Sequence, residues 1–179
     1  MSFRLETERL IIRHFRLEDL DELYDIESDP KVHEFIEQNP ILSKDEMHLV
    51  LERNIKENRI YEWGRWAVVS KETGILIGVA GIVYHKVGYD NRKNYYNLGY
   101  RFNSRYWGQG FASEAVKCIL GYAFMELQIS EIMATTMIEN VQSISILKNI
   151  GFKEDSLYDW QGKPSIWFII KRTDFILSL

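Results

Sequence analysis

One short segment limits the folds open to this chain, because it joins a strand-like pattern to a helix-like pattern through two closely spaced glycines. Tyr95–Phe102 predicts a strand, and the apolar residues of Phe111–Leu127 recur at helical spacing. Between these runs lies Arg105–Ala112, which contains Gly108 and Gly110. Glycines let backbone amides approach a ligand closely, and the free N–H groups of a following helix favour an anion such as a diphosphate. A tight turn that needs glycine for its backbone dihedrals would explain the two glycines equally well.

Other phosphate-binding loops fit this segment poorly. A Walker loop ends in Gly-Lys-Ser/Thr, and no such ending is present here. A Rossmann fingerprint would place glycine at Ser113 and a parallel βαβ unit at the start of the chain. The segment therefore matches neither pattern, and it is either an anion site of another kind or a tight turn.

The remaining hydrophobic periodicity predicts a mixed α/β chain. The predicted strands are Leu10–Phe15, Trp66–Ser70, Ile75–His85, Tyr95–Phe102, Glu131–Ile138, Lys153–Tyr158 and Ser165–Lys171, and the predicted helices begin at Leu17, Ser43, Phe111 and Asn140. Ser43–Glu46 matches a capping box, Pro30 is expected to end the first helix, and Gly151 is expected to end the last one. The order β-α-α-β-β-β-α-β-α-β-β gives about seven strands and about four helices.

Composition excludes several classes of protein. The 179 residues suit one domain, 1–179, without a linker or repeat to divide it. Charges throughout Met1–Arg16 leave no apolar signal peptide or membrane span, so we expect a cytoplasmic protein with no membrane partner. The lone Cys118 predicts core packing, and four scattered histidines predict no metal site. A net charge of −4 argues against nucleic acid as the main partner.

The charge is unevenly distributed along the chain. Leu17–Glu62 holds 14 acidic and 5 basic residues, a net charge of −9, whereas Lys86–Gly110 holds five basic residues and Asp90, a net charge of +4. An acidic surface for a cationic acceptor beside a basic loop for an anionic cofactor would suit an enzyme with two substrates. Solvated helix faces explain the acidic part equally well.

Three motifs, in the order in which the family carries them, make the chain resemble the GNAT N-acetyltransferases. They are Thr7-Glu-Arg-Leu with Arg13 and Asp19-Leu20, then Arg105-x-x-Gly-x-Gly, then Asn140-x-x-Ser followed by Gly151-Phe152. The first resembles the start of the branch that contains the ribosomal-protein N-acetyltransferases RimJ and RimL, the second the coenzyme A loop, and the third the family's second signature. The resemblance covers essentially the whole chain. It implies an α/β (α+β) fold with a mixed, mostly antiparallel sheet and a splayed pair of parallel strands.

The same resemblance implies where acetyl-CoA binds. The cofactor would lie where strands Tyr95–Phe102 and Glu131–Ile138 splay apart. The implied cofactor-binding residues are Tyr100, Arg101 and Phe102 through their backbone N–H groups, Arg105, the amides of Gly108, Gln109, Gly110, Phe111, Ala112 and Ser113 for the diphosphate, and Asn140. Arg105 could instead bond local carbonyls, and Asn140 could serve only as the N-cap of its helix.

The catalytic positions implied by the resemblance are Asn97 and Ser143, in a reaction where the acceptor amine attacks the thioester directly. Many relatives carry a tyrosine where this chain has Leu147, and that tyrosine gives a proton to the departing thiolate. Ser143 is the best substitute, although its hydroxyl could also bond its own backbone. Many relatives carry glutamate where this chain has Asn97, and an amide cannot accept the amine proton. The candidate bases are Glu34, Glu62, His85, Tyr95 and solvent.

The acceptor implied by the resemblance is a primary amine, above all the N-terminal α-amine of a protein or peptide. A polyamine or an antibiotic amine is the alternative within the enzyme class. The missing glutamate and tyrosine also fit a different class, an acyl-CoA-binding sensor module without catalysis. We expect a monomer or homodimer.

Overall fold

The computed structural model describes residues 3–36, 40–61 and 63–177. The strands are β1 (Arg4–Glu6), β2 (Leu10–Arg13), β3 (Gly64–Ser70), β4 (Leu76–Val87), β5 (Lys93–Phe102), β6 (Glu131–Met137), β7 (Lys153–Trp160) and β8 (Lys163–Lys171). The helices are α1 (Leu20–Glu27), α2 (Pro30–His33), α3 (Lys44–Ile60), α4 (Phe111–Met125), α5 (Val141–Ile150) and α6 (Arg172–Ile176). The strands form a sheet in the order β1-β2-β3-β4-β5-β6-β8-β7.

Contacts divide the chain into two compact units. The first unit comprises residues 1–81 and 100–119, and the second comprises residues 82–99 and 120–179. In the first unit, helices α1 and α3 bury an apolar face against β2 and β3. Met47 and Leu51 of α3 are four residues apart, so they share one face of the helix, and both are buried. They pack in one cluster with Leu23, Ile26, Ala67 and Val69.

Helix α3 begins where its capping residues predict. The Ser43 side chain accepts a hydrogen bond from the Glu46 amide at 3.2 Å, which satisfies one of the free N–H groups of the first turn. The Pro30 prediction needs correction, because α1 already ends at Glu27 and Pro30 is the first residue of α2. Asp29 caps α2 by accepting a hydrogen bond from the Lys31 amide at 2.9 Å. Proline is tolerated at this position because its missing N–H would have no helical partner there.

A bidentate ion pair joins β2 to the start of α1 in the first unit. Arg13 donates to both carboxylate oxygens of Asp19, at 2.7 and 2.8 Å, and Asp19 also accepts from the Arg16 amide at 2.8 Å. The side chains of Arg13 and Asp19 are only 14% and 6% exposed. These two members of the opening motif therefore have a structural role, which is to fix the start of α1 against β2.

The second unit contains the parallel strand pair. β5 and β6 run parallel, with Asn97 opposite Met133 and Leu98 opposite Ala134. β6 pairs antiparallel with β8, and β8 pairs antiparallel with β7. Trp167 and Phe168 of β8 are fully buried. The predicted mixed, mostly antiparallel sheet with a parallel pair is confirmed.

Over the residues that the structure describes, the eight strands and six helices exceed the predicted numbers of about seven and about four. The additional elements are β1, α2 and α6, each of five residues or fewer, which is too short to show a hydrophobic period. The expectation of a single domain stays a prediction. Within the described ranges, no helix is long and apolar enough to cross a membrane.

Candidate active site

The segment between β5 and α4, in the first unit, is shaped by hydrogen bonds among its own residues. Asn103 caps a short 3₁₀ turn, Ser104–Tyr106, by accepting a hydrogen bond from the Arg105 amide at 3.1 Å. Trp107 donates its indole N–H to the carbonyl of Phe102 at 2.8 Å. These contacts give the chain a defined path from the end of the strand to the two glycines.

Gly108 and Gly110 adopt left-handed backbone conformations, with φ of +74° and +81°. A Cβ at Gly108 would meet no atom within 4 Å, and one at Gly110 would meet only Nη2 of Arg9, at 3.5 Å. The backbone therefore favours glycine through its dihedrals and not through crowding by protein atoms. The open space beside both glycines is available to a ligand.

Six successive amides of this loop, those of residues 108–113, have no hydrogen-bond acceptor among the residues that the structure describes. The next amide, Glu114 N, donates to the carbonyl of Gly110 at 3.1 Å and so starts the bonding pattern of α4. A run of unpaired amides at the N-terminus of a 15-residue helix combines free donors with the positive end of the helix dipole. A diphosphate is a suitable ligand for such a loop.

Arg105 lies on the exposed side of this loop. Its carbonyl accepts a hydrogen bond from the side chain of Gln109 at 3.0 Å. For its guanidinium, the described part of the chain offers no acceptor, so the contact with local carbonyls is not formed. The positive charge is thus available to an anionic ligand.

A contact that the sequence did not reveal connects the opening motif to the loop. Thr7 and Arg9 both bond the carboxylate of Glu114, which lies in the first turn of α4. Arg9 also donates to the carbonyl of Gln109 at 3.0 Å. Burial raises the pKa of Glu114, but the hydrogen bonds from Thr7 and Arg9 outweigh it and leave the pKa below its ordinary value.

The end of β5 is anchored by its side chains. Arg101 forms an ion pair with Glu27, whose side chain is 5% exposed. The ring of Phe102 packs against Gly78, where a Cβ would lie only 2.4 Å from a ring carbon. Tyr100 is half-buried. The cofactor contacts implied for these residues use backbone N–H groups, so the side-chain contacts are compatible with them.

Asn97 lies on β5 in the second unit. Its Oδ1 atom is buried, and the described residues provide no hydrogen-bond donor for it. Leaving a buried acceptor unpaired costs about 1–3 kcal/mol, so such an atom in a folded protein calls for a ligand or a bound water. The group this atom can bind is a hydrogen-bond donor.

The second signature marks both ends of α5, also in the second unit. Asn140 is the N-cap, and its Oδ1 accepts a hydrogen bond from the Ser143 amide at 3.0 Å. Gly151 ends the helix with φ of +110°, and the Phe152 amide donates to the carbonyl of Leu147 at 3.0 Å. Leu147 is 1% exposed, so the position of the family's tyrosine is a core position here. The Asn140 amino group is not used by the cap.

The candidate bases lie in different places. Glu34 is exposed in the first unit, and His85 stacks on Tyr95 in the second, with ring centroids 5.1 Å apart. Burial raises the pKa of Tyr95, which is opposite to what a base at neutral pH requires. Glu62 lies outside the described residues.

Several charges counted in the sequence are already paired within their own unit. Asp19 binds Arg13, Glu27 binds Arg101, and Asp29 accepts a hydrogen bond from Ser104 at 2.7 Å. Arg92 forms an ion pair with Asp155. The acidic surface for an acceptor and the basic surface for a cofactor are therefore smaller than the net charges of −9 and +4 suggested.

Comparison with known proteins agrees with this fold. The model of the acetyltransferase (GNAT) domain matches residues 9–153. The uncharacterized N-acetyltransferase p20 of Bacillus licheniformis is 31% identical over 157 residues, which cover 86% of this chain and 84% of p20. The crystal structure of a GNAT-family acetyltransferase from Bacillus anthracis has a TM-score of 0.79 at 24% identity and covers 96% of this chain and 99% of its own. A spermidine N-acetyltransferase from Vibrio cholerae, in complex with CoA and spermine, has a TM-score of 0.77 at 18% identity, with coverage of 95% and 99%.

The chain belongs to the GNAT family of acetyltransferases. It is an acetyl-CoA-dependent N-acetyltransferase, since acetyl-CoA is the co-substrate of this family.

Proposed function

We propose that this enzyme acetylates a primary amine of low pKa, above all the N-terminal α-amine of a protein or peptide, and that it belongs to the RimJ/RimL-like branch. The observation that carries this proposal is the buried, unpaired Oδ1 of Asn97. An amine N–H bound there would satisfy this atom. The opening motif Thr7–Leu10 supports the branch.

Asn97 can orient the amine but cannot take its proton, because an amide oxygen is not basic at neutral pH. The acceptor must therefore arrive largely as the free base. At pH 7.5 about one lysine side chain in a thousand is neutral, whereas about a quarter to two-fifths of α-amino groups are. This difference favours an α-amine by roughly 200-fold or more without any protein base.

The cofactor-binding residues follow the loop geometry. The amides of residues 108–113 hold the diphosphate, and Arg105 adds positive charge. The Asn140 amino group donates a hydrogen bond to the cofactor or the acceptor, and backbone amides of Tyr100–Phe102 bind the acetyl carbonyl and stabilise the developing oxyanion.

The reaction then needs two proton transfers. The amine nitrogen bonds to the acetyl carbon while the carbon–sulfur bond breaks. Ser143 gives its hydroxyl proton to the departing thiolate, and the excess proton of the attacking nitrogen leaves to solvent. Ser143 takes up a proton from solvent in the same step, so no alkoxide is left on the serine.

The test compares kcat/KM at pH 7.5 for three acceptors, each measured over the same range of concentrations. They are a peptide with a free N-terminus and no lysine, the same peptide with an acetylated N-terminus and one lysine, and spermidine. We expect the free N-terminus to be acetylated fastest. Faster acetylation of the lysine peptide or of spermidine would contradict the proposal and would indicate a protein base.

A matched variant makes the role of Asn97 measurable. Asn97→Asp supplies a carboxylate of almost the same shape, so it should raise the rate for the lysine peptide relative to the free N-terminus. An unchanged ratio would show that Asn97 does not face the acceptor amine.

A further inference from the structure

We propose that Arg9 and Glu114 form one unit that positions the cofactor loop, with Arg9 holding the loop backbone in the conformation that binds the diphosphate. This inference rests on the proposed diphosphate role of residues 108–113. It gives Arg9 of the opening motif a part in cofactor binding.

Arg9 contacts three residues where the loop joins α4. Its Nε and Nη2 atoms lie 2.7 and 2.6 Å from Oε2 of Glu114, and its Nη1 donates to the Gln109 carbonyl at 3.0 Å. Its guanidinium carbon lies 4.4 Å from the centre of the Phe111 ring. Arg9 therefore touches the residue between the two glycines, the first residue of α4 and the first turn of that helix.

The second carboxylate oxygen of Glu114, Oε1, also has partners in the opening motif. This oxygen accepts hydrogen bonds from the Thr7 hydroxyl and, at 3.0 Å, from the Arg9 amide. The Thr7 hydroxyl oxygen accepts from the Leu10 amide at 2.9 Å, which closes the turn before β2. The carboxylate side chain is 19% exposed. Thr7 and Arg9 of the motif thus both bind the helix that starts at the loop.

The charge of Glu114 makes the pairing necessary for an anionic ligand. A carboxylate in the first turn of a helix opposes the binding of a diphosphate at the same helix end, because the two negative charges repel. Arg9 neutralises that carboxylate. The contacts with Glu114 and Gln109 use three of the five guanidinium N–H groups of Arg9, and the role proposed for this residue is to hold the loop.

The test measures the Kd of acetyl-CoA by calorimetry for Arg9→Ala, Arg9→Lys, Glu114→Gln and the double variant Arg9→Ala/Glu114→Gln. We expect Arg9→Ala to raise Kd about tenfold, which corresponds to about 1.4 kcal/mol. Arg9→Lys keeps the charge but cannot make the forked contacts of the guanidinium. Its Kd should therefore rise nearly as much as that of Arg9→Ala. Because the two residues act as one unit, Arg9→Ala should have a clearly smaller effect in the Glu114→Gln background.

Two further measurements separate positioning from a general loss of structure. Arg4→Ala is the matched control, because Arg4 is an exposed arginine of the same segment whose ion pair in the described structure is with Glu6 and not with the loop. Turnover of acetyl-pantetheine, which lacks the diphosphate, should be nearly the same for Arg9→Ala and the wild type.

The outcomes are distinct. An unchanged Kd for Arg9→Ala, additive effects in the double variant, or an equal loss with acetyl-pantetheine would each overturn the positioning role. A wild-type protein that does not bind acetyl-CoA would instead contradict the proposed function.

Discussion

Replacing Gly110 with alanine should weaken acetyl-CoA binding, whereas the same change at Gly162 should not. The two glycines are matched in backbone conformation, with φ of +81° and +82°. A Cβ at Gly162 would meet no atom within 4 Å, and one at Gly110 would meet only Nη2 of Arg9 at an ordinary contact distance of 3.5 Å. Gly162 lies in the turn between β7 and β8 and is not part of the loop.

Both variants should lose similar stability. An L-residue in the left-handed region costs about 1–2 kcal/mol. For a chain of 179 residues, each kcal/mol lowers Tm by roughly 2–4 °C, so both variants should melt about 2–8 °C below the wild type. This common loss separates backbone strain from any effect on the ligand.

The assay measures the rise in Tm that acetyl-CoA causes, together with Kd by calorimetry. At a ligand concentration of about 100 Kd the wild type and Gly162→Ala should gain about 2.7 kcal/mol. The Cβ at Gly110 occupies the space beside the free amides, so we expect Kd to rise at least about tenfold and the gain to fall to about half. A Gly110→Ala protein that binds acetyl-CoA within about twofold of the wild type would refute the diphosphate role and leave only the turn explanation.

Two other variants test the remaining residues. Ser143→Ala should lower kcat with little change in the Kd of acetyl-CoA, because the hydrogen bond of Ser143 strengthens as charge develops on sulfur. The control Ser145→Ala, on the same helix, should change neither value. A kcat of Ser143→Ala within about twofold of the wild type would show that Ser143 has only a structural role in the helix. Burial raises the pKa of Glu27, but the charge and hydrogen bond of Arg101, together with the nearby His33, lower it below 4.5. The stabilisation by ionised Glu27 is therefore present above pH 4.5 and is lost as the pH falls through the lower pKa of the folded state. In urea unfolding below pH 4.5, Glu27→Gln should lose less stability with falling pH than the wild type does. The same pH dependence in both proteins would show that Glu27 does not contribute to this loss.

The sequence predicted the site elements whose signals are local. Hydrophobic period and glycine spacing located the loop before α4, and Asn140 and Gly151 were expected at the two ends of α5. The short elements were missed or misassigned because they are too short to show a hydrophobic period. A proline can follow the end of a helix or occupy the first position of one. The structure shows that Asp29 caps a helix that begins at Pro30, so the second case applies here.

Charge was the least predictable property. Arg92 and Arg101 contributed to the basic segment in the sequence, yet each binds a carboxylate in the folded chain, whereas Arg105 keeps a guanidinium without a partner among the described residues. A count of charges along the chain cannot distinguish these cases, because pairing depends on residues far apart in sequence.

The sequence by itself determined the mixed α/β order of elements and the position of the loop, because helix caps, glycine positions and hydrophobic period all act within a few residues of one another, and the resemblance of three motifs indicated the family and its mixed sheet. Only the tertiary structure decided that Asn97 keeps a buried oxygen without a partner among the described residues and that Arg9 reaches Glu114, 105 positions further along the chain. Burial and long-range pairing are set by how distant segments pack, and no local pattern records them.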